Sequence, residues 1–447
     1  MPVLRRCEFP IGHCYSPSFF MGRKGMNEKY KVMRQKAIDF AATLPDTLRE
    51  IFKTCFFSTL DTATELLNDG TTYVFTGDIP AMWLRDSAAQ VFHYLPFCGE
   101  DDEIKRTVKG LIKRQARYVL IDPYANAFNK SADGAGHKDI FPQSAWVWER
   151  KYEVDSLCYF LHLTYQYYLN TGDDSVYDTE VTNAVKRIVK VFALEQYHDK
   201  KSKYTFLRNG EFGHDALDNN GKGTPTGYTG MTWSGFRPSD DRCEYHYLIP
   251  SNCFSVKVLT DTANVYEKLK NKKLAKHARK LSQEIRGGVE KYGIIEHKEF
   301  GKIYVYEADG LGNYLLMDDA NVPSLLSLPY LGYCDVSDPI YQNTRRFVLS
   351  KHNPYYFEGK YAKGIGSPHT PPNNIWHIAL IMQGLTSRCE TERGEILKYL
   401  LNTHAGRGRM HESFDKDNPL VFTREWFSWA DSLFAVFIMD LYKGIER

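Results

Sequence analysis

The stretch 230–241, Gly-Met-Thr-Trp-Ser-Gly-Phe-Arg-Pro-Ser-Asp-Asp, sets an indole, a guanidinium and two adjacent carboxyls among two glycines and a proline. Glycine and proline at this density argue for an irregular loop, and loops held by a rigid scaffold are where binding and catalytic groups concentrate. Trp233 can stack on the apolar face of a sugar ring, and Arg237 can fork hydrogen bonds to hydroxyls or anions. Adjacent carboxylates repel, which raises the proton affinity of one of them, as a general acid at neutral pH requires. A solvated surface loop would show the same residues without that consequence.

Four further clusters carry the same chemistry. Residues 76–87, Thr-Gly-Asp-Ile-Pro-Ala-Met-Trp-Leu-Arg-Asp-Ser, bring Asp78, Trp83, Arg85 and Asp86 together just before a helical stretch, where Asp86 could also serve as a cap or as an ion-pair partner of Arg85. Residues 133–139 offer His137, and Trp146 to Glu149 add two indoles and an acid. Residues 317–323 hold Asp318, Asp319 and Asn321, for which helix capping is the plainer reading because Asp and Asn are preferred N-caps. Residues 409–415 hold His411 and Glu412, followed by Glu425-Trp-Phe-Ser-Trp429. Other chemistries fail on spacing. His411-Glu412 lacks the second histidine of a zinc-binding H-E-x-x-H. No Walker A sequence occurs, and 221–227 is glycine-rich but carries Pro225 and follows no strand. No G-x-S-x-G elbow is present, and Asp318 and Asp319 lack the spacing of a calcium loop.

The elements that must position these groups read as helices of two kinds. In 103–120 the residues Ile104, Val108, Leu111, Ile112 and Val119 fall on one face, and 181–192, 274–285 and 396–401 repeat the pattern. The stretches 154–169, 254–269, 375–385 and 426–441 are apolar nearly all round, as buried helices are. The two kinds tend to alternate, which predicts a toroid of inner helices wrapped by outer ones. Strand patterning is limited to short pieces such as 302–307. The chemistry-bearing clusters fall in the connections, so one set of helix ends would bring them to one pocket. No low-complexity linker divides the chain, and residues 1–447 read as a single catalytic domain in which about 1–28 form an uninterpreted N-terminal extension.

Composition sets limits on function. The 447 residues are 43% hydrophobic and 25% charged, enough for a large core in a soluble protein, while aromatics reach 14%, as faces for ring-shaped ligands would require. A net charge of +2 without a basic stripe argues against a nucleic-acid partner, and the basic run 270–280 reads as the solvated face of a helix. Nine scattered cysteines without a C-x-x-C suit reduced thiols, and the N-terminus lacks the apolar core of a signal peptide. No stretch approaches a membrane span. These features together predict a cytoplasmic protein with no membrane partner, and they identify no protein partner.

The motifs TGDIPAMWLRDS (76–87), GMTWSGFRPSDD (230–241), YLIPSN (247–252), MDDANVPSLLSLP (317–329) and MHESF (410–414) resemble glycoside hydrolase family 125, in the same order and from about residue 30 to the C-terminus. The resemblance implies an all-α (α/α)6 barrel and an exo-acting α-1,6-mannosidase that inverts configuration without metal or cofactor. Its substrate would be terminal mannose of N-glycan-type oligosaccharides. Carried over by motif, the base is Glu412 and the acid is an Asp of FRPSDD, assigned to Asp240 with Asp241 as fallback, since the motif does not separate the two. Trp83, Arg85, Asp86, His137, Trp233 and Arg237 would hold sugar hydroxyls, and Asp318, Asp319 and Asn321 would join them or brace the wall. In inverting enzymes the two carboxyls stand roughly 6.5–9.5 Å apart to admit a water. Two other readings stay open: a different inverting glycosidase or a phosphorolytic enzyme on the same barrel, and a sugar-binding protein without catalysis.

Overall fold

The structure, a computed structural model, describes residues 29–137, 139–208 and 215–443, so the N-terminal extension expected at 1–28 lies outside the described residues. The helices in chain order are α1 Lys31–Ala42, α2 Asp46–Thr62, α3 Leu84–Ala89, α4 Asp102–Ile121, α5 Val154–Thr171, α6 Thr179–Glu195, the one-turn pieces α7 His198–Lys201 and α8 Asp218–Gly221, then α9 Ile249–Lys268, α10 Lys272–Tyr292, α11 Pro339–Val348, α12 His377–Leu385, α13 Glu390–Thr403 and α14 Ser428–Leu441. The four amphipathic and four apolar helices expected from the sequence are all present. Helices α1 and α2 complete the described N-terminal part.

Three of the four expected amphipathic helices, α4, α6 and α10, start on side-chain caps, whereas α13 follows Cys389 without one. Asp101 accepts from the backbone N–H groups of Glu103 and Ile104 ahead of α4, Asp178 from Val181 ahead of α6, and Asn271 from Leu274 ahead of α10. Each such cap contributes about 1 kcal/mol. Along α10 the buried residues Leu274, Ala278, Leu281, Ile285 and Val289 recur every three to four positions, so one stripe faces inward and the lysines stay in water. Helix α12 is instead buried from His377 to Gly384, and α14 from Ser428 to Met439.

That difference sorts the helices into two rings. Helices α3, α5, α9, α12 and α14 form the inner ring, with α5 against α3 and α9, and α12 against α14. Helices α2, α4, α6, α10, α11 and α13 lie outside, and the ring closes where α14 packs on α2 and α3. Between α10 and α11 the buried segment 317–328, built of bends and turns, stands where the remaining inner helix would be. The architecture is the expected (α/α)6 barrel with one inner position irregular.

Short antiparallel sheets feed chain into the inner ring. The strand Met82–Trp83 leads directly into α3, Tyr247–Leu248 into α9 and Asn374–Trp376 into α12, each within a three-stranded sheet. The strand expected at 302–307 is split between Gly301–Tyr304, paired with Ile294–His297, and Glu307–Ala308, which belongs to another sheet. Where the first and last helix pairs meet, Gly77 bridges Phe427 with φ +123°, and a Cβ there would come within 2.6 Å of the Trp426 carbonyl oxygen. Only glycine fits that approach.

Candidate active site

One end of the barrel holds a cavity of about 470 Å³ lined by Trp83, Arg85, Asp86, Asp240, Asn321, His369, Trp376, Glu412 and Arg424 among others. Its size falls in the range of small-ligand pockets, roughly 300–1,000 Å³. The inner helices α3, α12 and α14 begin beside this cavity, so their N-terminal ends, where partial positive charge favours carboxylates, face it. A separate apolar void of about 10 Å³ between Phe92, Tyr159, His162, Met382 and Leu433 is far too small for a sugar.

The loop 230–241 ends in a tight turn in which Arg237 N–H donates to the Asp241 carbonyl at 2.7 Å and Asp240 N–H to the Arg237 carbonyl at 2.9 Å. Asp240 sits in that turn at φ +67°, a left-handed conformation that Asp tolerates better than most residues. This separates the adjacent pair. Asp240 lines the cavity, while Asp241 accepts from Ser239 at 3.1 Å and faces His369 Nδ1 at 3.3 Å.

Asp240 is anchored from behind. Its Oδ1 accepts from Arg85 Nη2 at 3.3 Å and from Asn126 Nδ2 at 3.2 Å, and the same Asn126 amide reaches Glu153 Oε1 at 3.1 Å, which sets the two carboxyls side by side. Burial of Asp240 favours its neutral form, but Arg85, Glu153 and Lys151 outweigh burial and hold it below the usual carboxylate range. Burial pushes Glu153 well above that range. Double ionisation of the pair is disfavoured, because two buried charges side by side cost more than one.

Glu412 meets a different environment. It lies in the loop before the strand Ser413–Asp415, and Arg424 Nη1 stands 3.5 Å from its Oε1. Arg424 is fixed in turn by Asp78, whose Oδ1 accepts from Nε at 3.0 Å and from Nη2 at 2.6 Å. Its backbone adopts φ +37°, a strained conformation held by these contacts. Around the same cavity, the Trp83 indole N–H and Asp86 Oδ2 are buried and make no hydrogen bond within the described residues, while Asp86 Oδ1 accepts from Thr76 at 3.0 Å. Asp86 is not the N-cap of α3, a position held by Trp83 without a side-chain bond. Its carboxyl is pushed up by burial against the pull of Arg85. Burial opposes protonation of the His369 ring, but Asp241, with Glu412 and Asp240 behind it, raises it from 6.5 to about 9.

Of the residues expected to touch the ligand, the structure brings Trp83, Arg85, Asp86, Asp240, Asn321 and Glu412 to one cavity. It places the others elsewhere. Trp233 is fully buried, with its ring sandwiched between His198 at 3.6 Å and His246 at 4.4 Å, so its faces are taken by the core. Arg237 is spent on Glu307 at 2.6 Å. Asp318 accepts from the backbone of Leu325 and Leu326 at 2.8 and 3.0 Å, a brace for the irregular inner segment. Asp319 binds Asn321 and Ser367, 3.2 and 3.1 Å away, and holds the cavity-lining Asn321 from outside. His137 is exposed, its ring edge-on to Trp148 at 6.2 Å. The sequence reading missed Asn126, Lys151, Glu153, His369 and Arg424. A signal existed for two of them, because Lys151-Tyr-Glu-Val-Asp155 sets three charges at the mouth of an apolar helix.

Buried carboxyls, an indole donor and guanidinium groups gathered at one end of an (α/α)6 barrel define a carbohydrate-active site. The family model of metal-independent alpha-mannosidase (GH125) matches residues 45–439, and the chain belongs to this family of glycoside hydrolases. The chain is similar to the Meiotically up-regulated gene 157 protein of Schizosaccharomyces pombe, 41% identical over 435 residues that span 92% of this chain and 86% of that one. It also superposes on a solved metal-independent alpha mannosidase of Streptococcus pneumoniae, described as a non-productive substrate complex with alpha-1,6-mannobiose. The TM-score is 0.91 at 45% identity, over 93% of this chain and 99% of the other. A bacterial glucoamylase complexed with acarbose, 15% identical with a TM-score of 0.52 over 81% of this chain and 49% of its own, shares the fold.

Proposed function

We propose that the protein removes terminal α-1,6-linked mannose from N-glycan-type oligosaccharides with inversion of configuration. Asp240 acts as the acid and Glu412 as the base. The observation that carries this reading is the placement of the two carboxyls in one cavity with opposite surroundings: Asp240 stands beside the buried Glu153 carboxyl, and Glu412 faces a guanidinium. Asp240 protonates the glycosidic oxygen as its bond to C1 breaks, and Glu412 takes a proton from the water that attacks C1 on the other face. Trp83 Nε1, a buried donor without a hydrogen-bond partner among the described residues, and Asp86 Oδ2, whose contact with Arg85 Nε is long at 3.5 Å, supply a donor and an acceptor for sugar hydroxyls. The bound mannobiose of the Streptococcus pneumoniae relative supports the linkage.

Phosphorolysis would need cationic groups free to hold phosphate, whereas Arg424 is engaged by Asp78 and Glu412, and Arg85 by Glu153, Asp155 and Asp240. Proton NMR of α-1,6-mannobiose turnover tests the proposal, with α-1,2- and α-1,3-linked isomers in parallel. Early β-mannose from the α-1,6 isomer is expected. Early α-mannose would remove Glu412 as base, and inertness on all three isomers would sink the mannosidase reading.

A further inference from the structure

Behind the cavity, a single guanidinium serves several carboxyls. Arg85 Nη1 donates to Glu153 Oε2 at 2.5 Å and to Asp155 Oδ2 at 3.2 Å, Nη2 to Asp240 Oδ1 at 3.3 Å, and Asp86 Oδ2 lies 3.5 Å from Nε. Asn126 Nδ2 ties the same group together, within 3.1 Å of both Glu149 Oε2 and Glu153 Oε1 and 3.2 Å from Asp240 Oδ1. Two further cations stand at the edge of this group: Arg208, 3.0 Å from Glu149, and Lys151, which is drawn to Asp215 at 2.8 Å and Glu149 at 3.6 Å. The Glu153 side chain is fully buried, whereas that of Asp240 is 24% exposed and reaches the cavity. The two carboxyls share the Arg85 guanidinium and the Asn126 amide as donors, and two ionised carboxylates held this close in a buried site repel, so one of them is the favoured holder of a proton.

We propose that Glu153 is the positioning residue that keeps Asp240 supplied with its proton, a role that rests on Asp240 being the acid. In the resting protein the proton sits on Glu153 and is donated to Asp240. When a glycosidic oxygen enters the cavity, the proton passes from Glu153 to Asp240 and from Asp240 to that oxygen, which keeps the electron pair of the breaking C1–O bond. Both carboxyls are then ionised beside Arg85. The proton removed from the attacking water resides on Glu412, and its loss to solvent, with uptake of one proton by the Glu153–Asp240 pair, restores the start. Among the described residues, the charged and titratable groups around Glu153 are Arg85 and Asp86 from α3, Glu149 and Lys151 from the strand Val147–Glu149 and the irregular stretch after it, Asp155 on the following helix, and Asp240 and Cys243 from the 230–243 segment. Ser156 Oγ donates to Glu153 at 2.8 Å, and His369 adds positive charge on the far side of Asp240.

The test is Glu153→Gln, which keeps the shape and can still donate to Asp240 but carries no transferable proton. On α-1,6-mannobiose the alkaline limb of kcat/KM is expected to move toward acid by about one pH unit or more, and turnover near neutral pH to fall about tenfold or more. On α-mannosyl fluoride, whose leaving group needs no proton, the rate stays within about threefold of wild type. An unmoved limb, or equal losses on both substrates, overturns the proposal in favour of a purely structural role. Wild-type inertness on both substrates would instead mean that the mannosidase reading has failed. If the variant does not fold, infrared spectra of wild-type protein isotope-labelled at glutamate carboxyls decide. A protonated glutamate band near neutral pH that shifts when mannose is added is expected, and its absence overturns the proposal.

Discussion

The two sides of the cavity are built to opposite electrostatic ends. On one side Asp240 backs onto Arg85, Glu153, Asp155 and Asn126, a crowd of carboxyls with one guanidinium among them. On the other, Glu412 faces Arg424, which a single carboxylate, Asp78, locks in place. In the proposed mechanism the group that delivers a proton stands beside a buried partner carboxyl, Glu153, and the group that accepts one is positioned by a fixed cation. The same residue chemistry thus performs two tasks because the neighbours differ, and the neighbours come from chain segments far apart in sequence.

The sharpest way to break this contrast is to remove each carboxyl. Asp240→Asn and Glu412→Ala are each expected to lower mannobiose turnover by about a hundred- to ten-thousand-fold. With α-mannosyl fluoride the Asp240→Asn loss should largely disappear and the Glu412→Ala loss should persist. Equal behaviour of the two variants on the fluoride would erase the distinction between the sides. Arg424→Met tests the base side alone. A fall in kcat of about tenfold is expected, since only positioning is lost, and an unchanged kcat would mean that Glu412 needs no such support.

Trp83→Phe keeps an aromatic face but removes a buried donor that no atom of the described residues satisfies. A rise in KM of a fewfold is expected from loss of one hydrogen bond of about 1 kcal/mol. Trp233→Phe, in the histidine sandwich, should lower the melting temperature without that rise. The smallest effect concerns pH. His369 is raised from 6.5 to about 9 by its partners, so the stability it contributes is fully present below 6.5 and is lost as pH rises through about 9. Thermal melts of Asp241→Asn against wild type should differ most below pH 6.5 and converge toward pH 9. A gap that is constant across this window would show that the pair is not linked to the proton.

The fold was legible because burial leaves periodic marks. The stripe along α10 and the unbroken apolar run of α14 announce outer and inner helices in any context. The turns at 317–328 were not legible as an irregular inner segment, since an apolar run reads alike in a helix and in buried turns. At the site, the motifs supplied Asp240, Glu412, Trp83, Arg85 and Asp86, yet they also advanced Trp233 and Arg237, which the core consumes. Residue type alone cannot tell an indole that meets a sugar from one that meets two histidines.

The sequence by itself determined the helix rings, the family and the set of residue types that perform the chemistry, because each depends on local pattern. Only the tertiary structure decided which of two adjacent aspartates faces the cavity, through a left-handed turn at Asp240. It alone brought Arg85, Asn126 and Glu153 behind Asp240 and Arg424 beside Glu412. Proton affinity is set by the charges within a few ångströms of a carboxyl, and those distances do not exist until the chain has closed its ring.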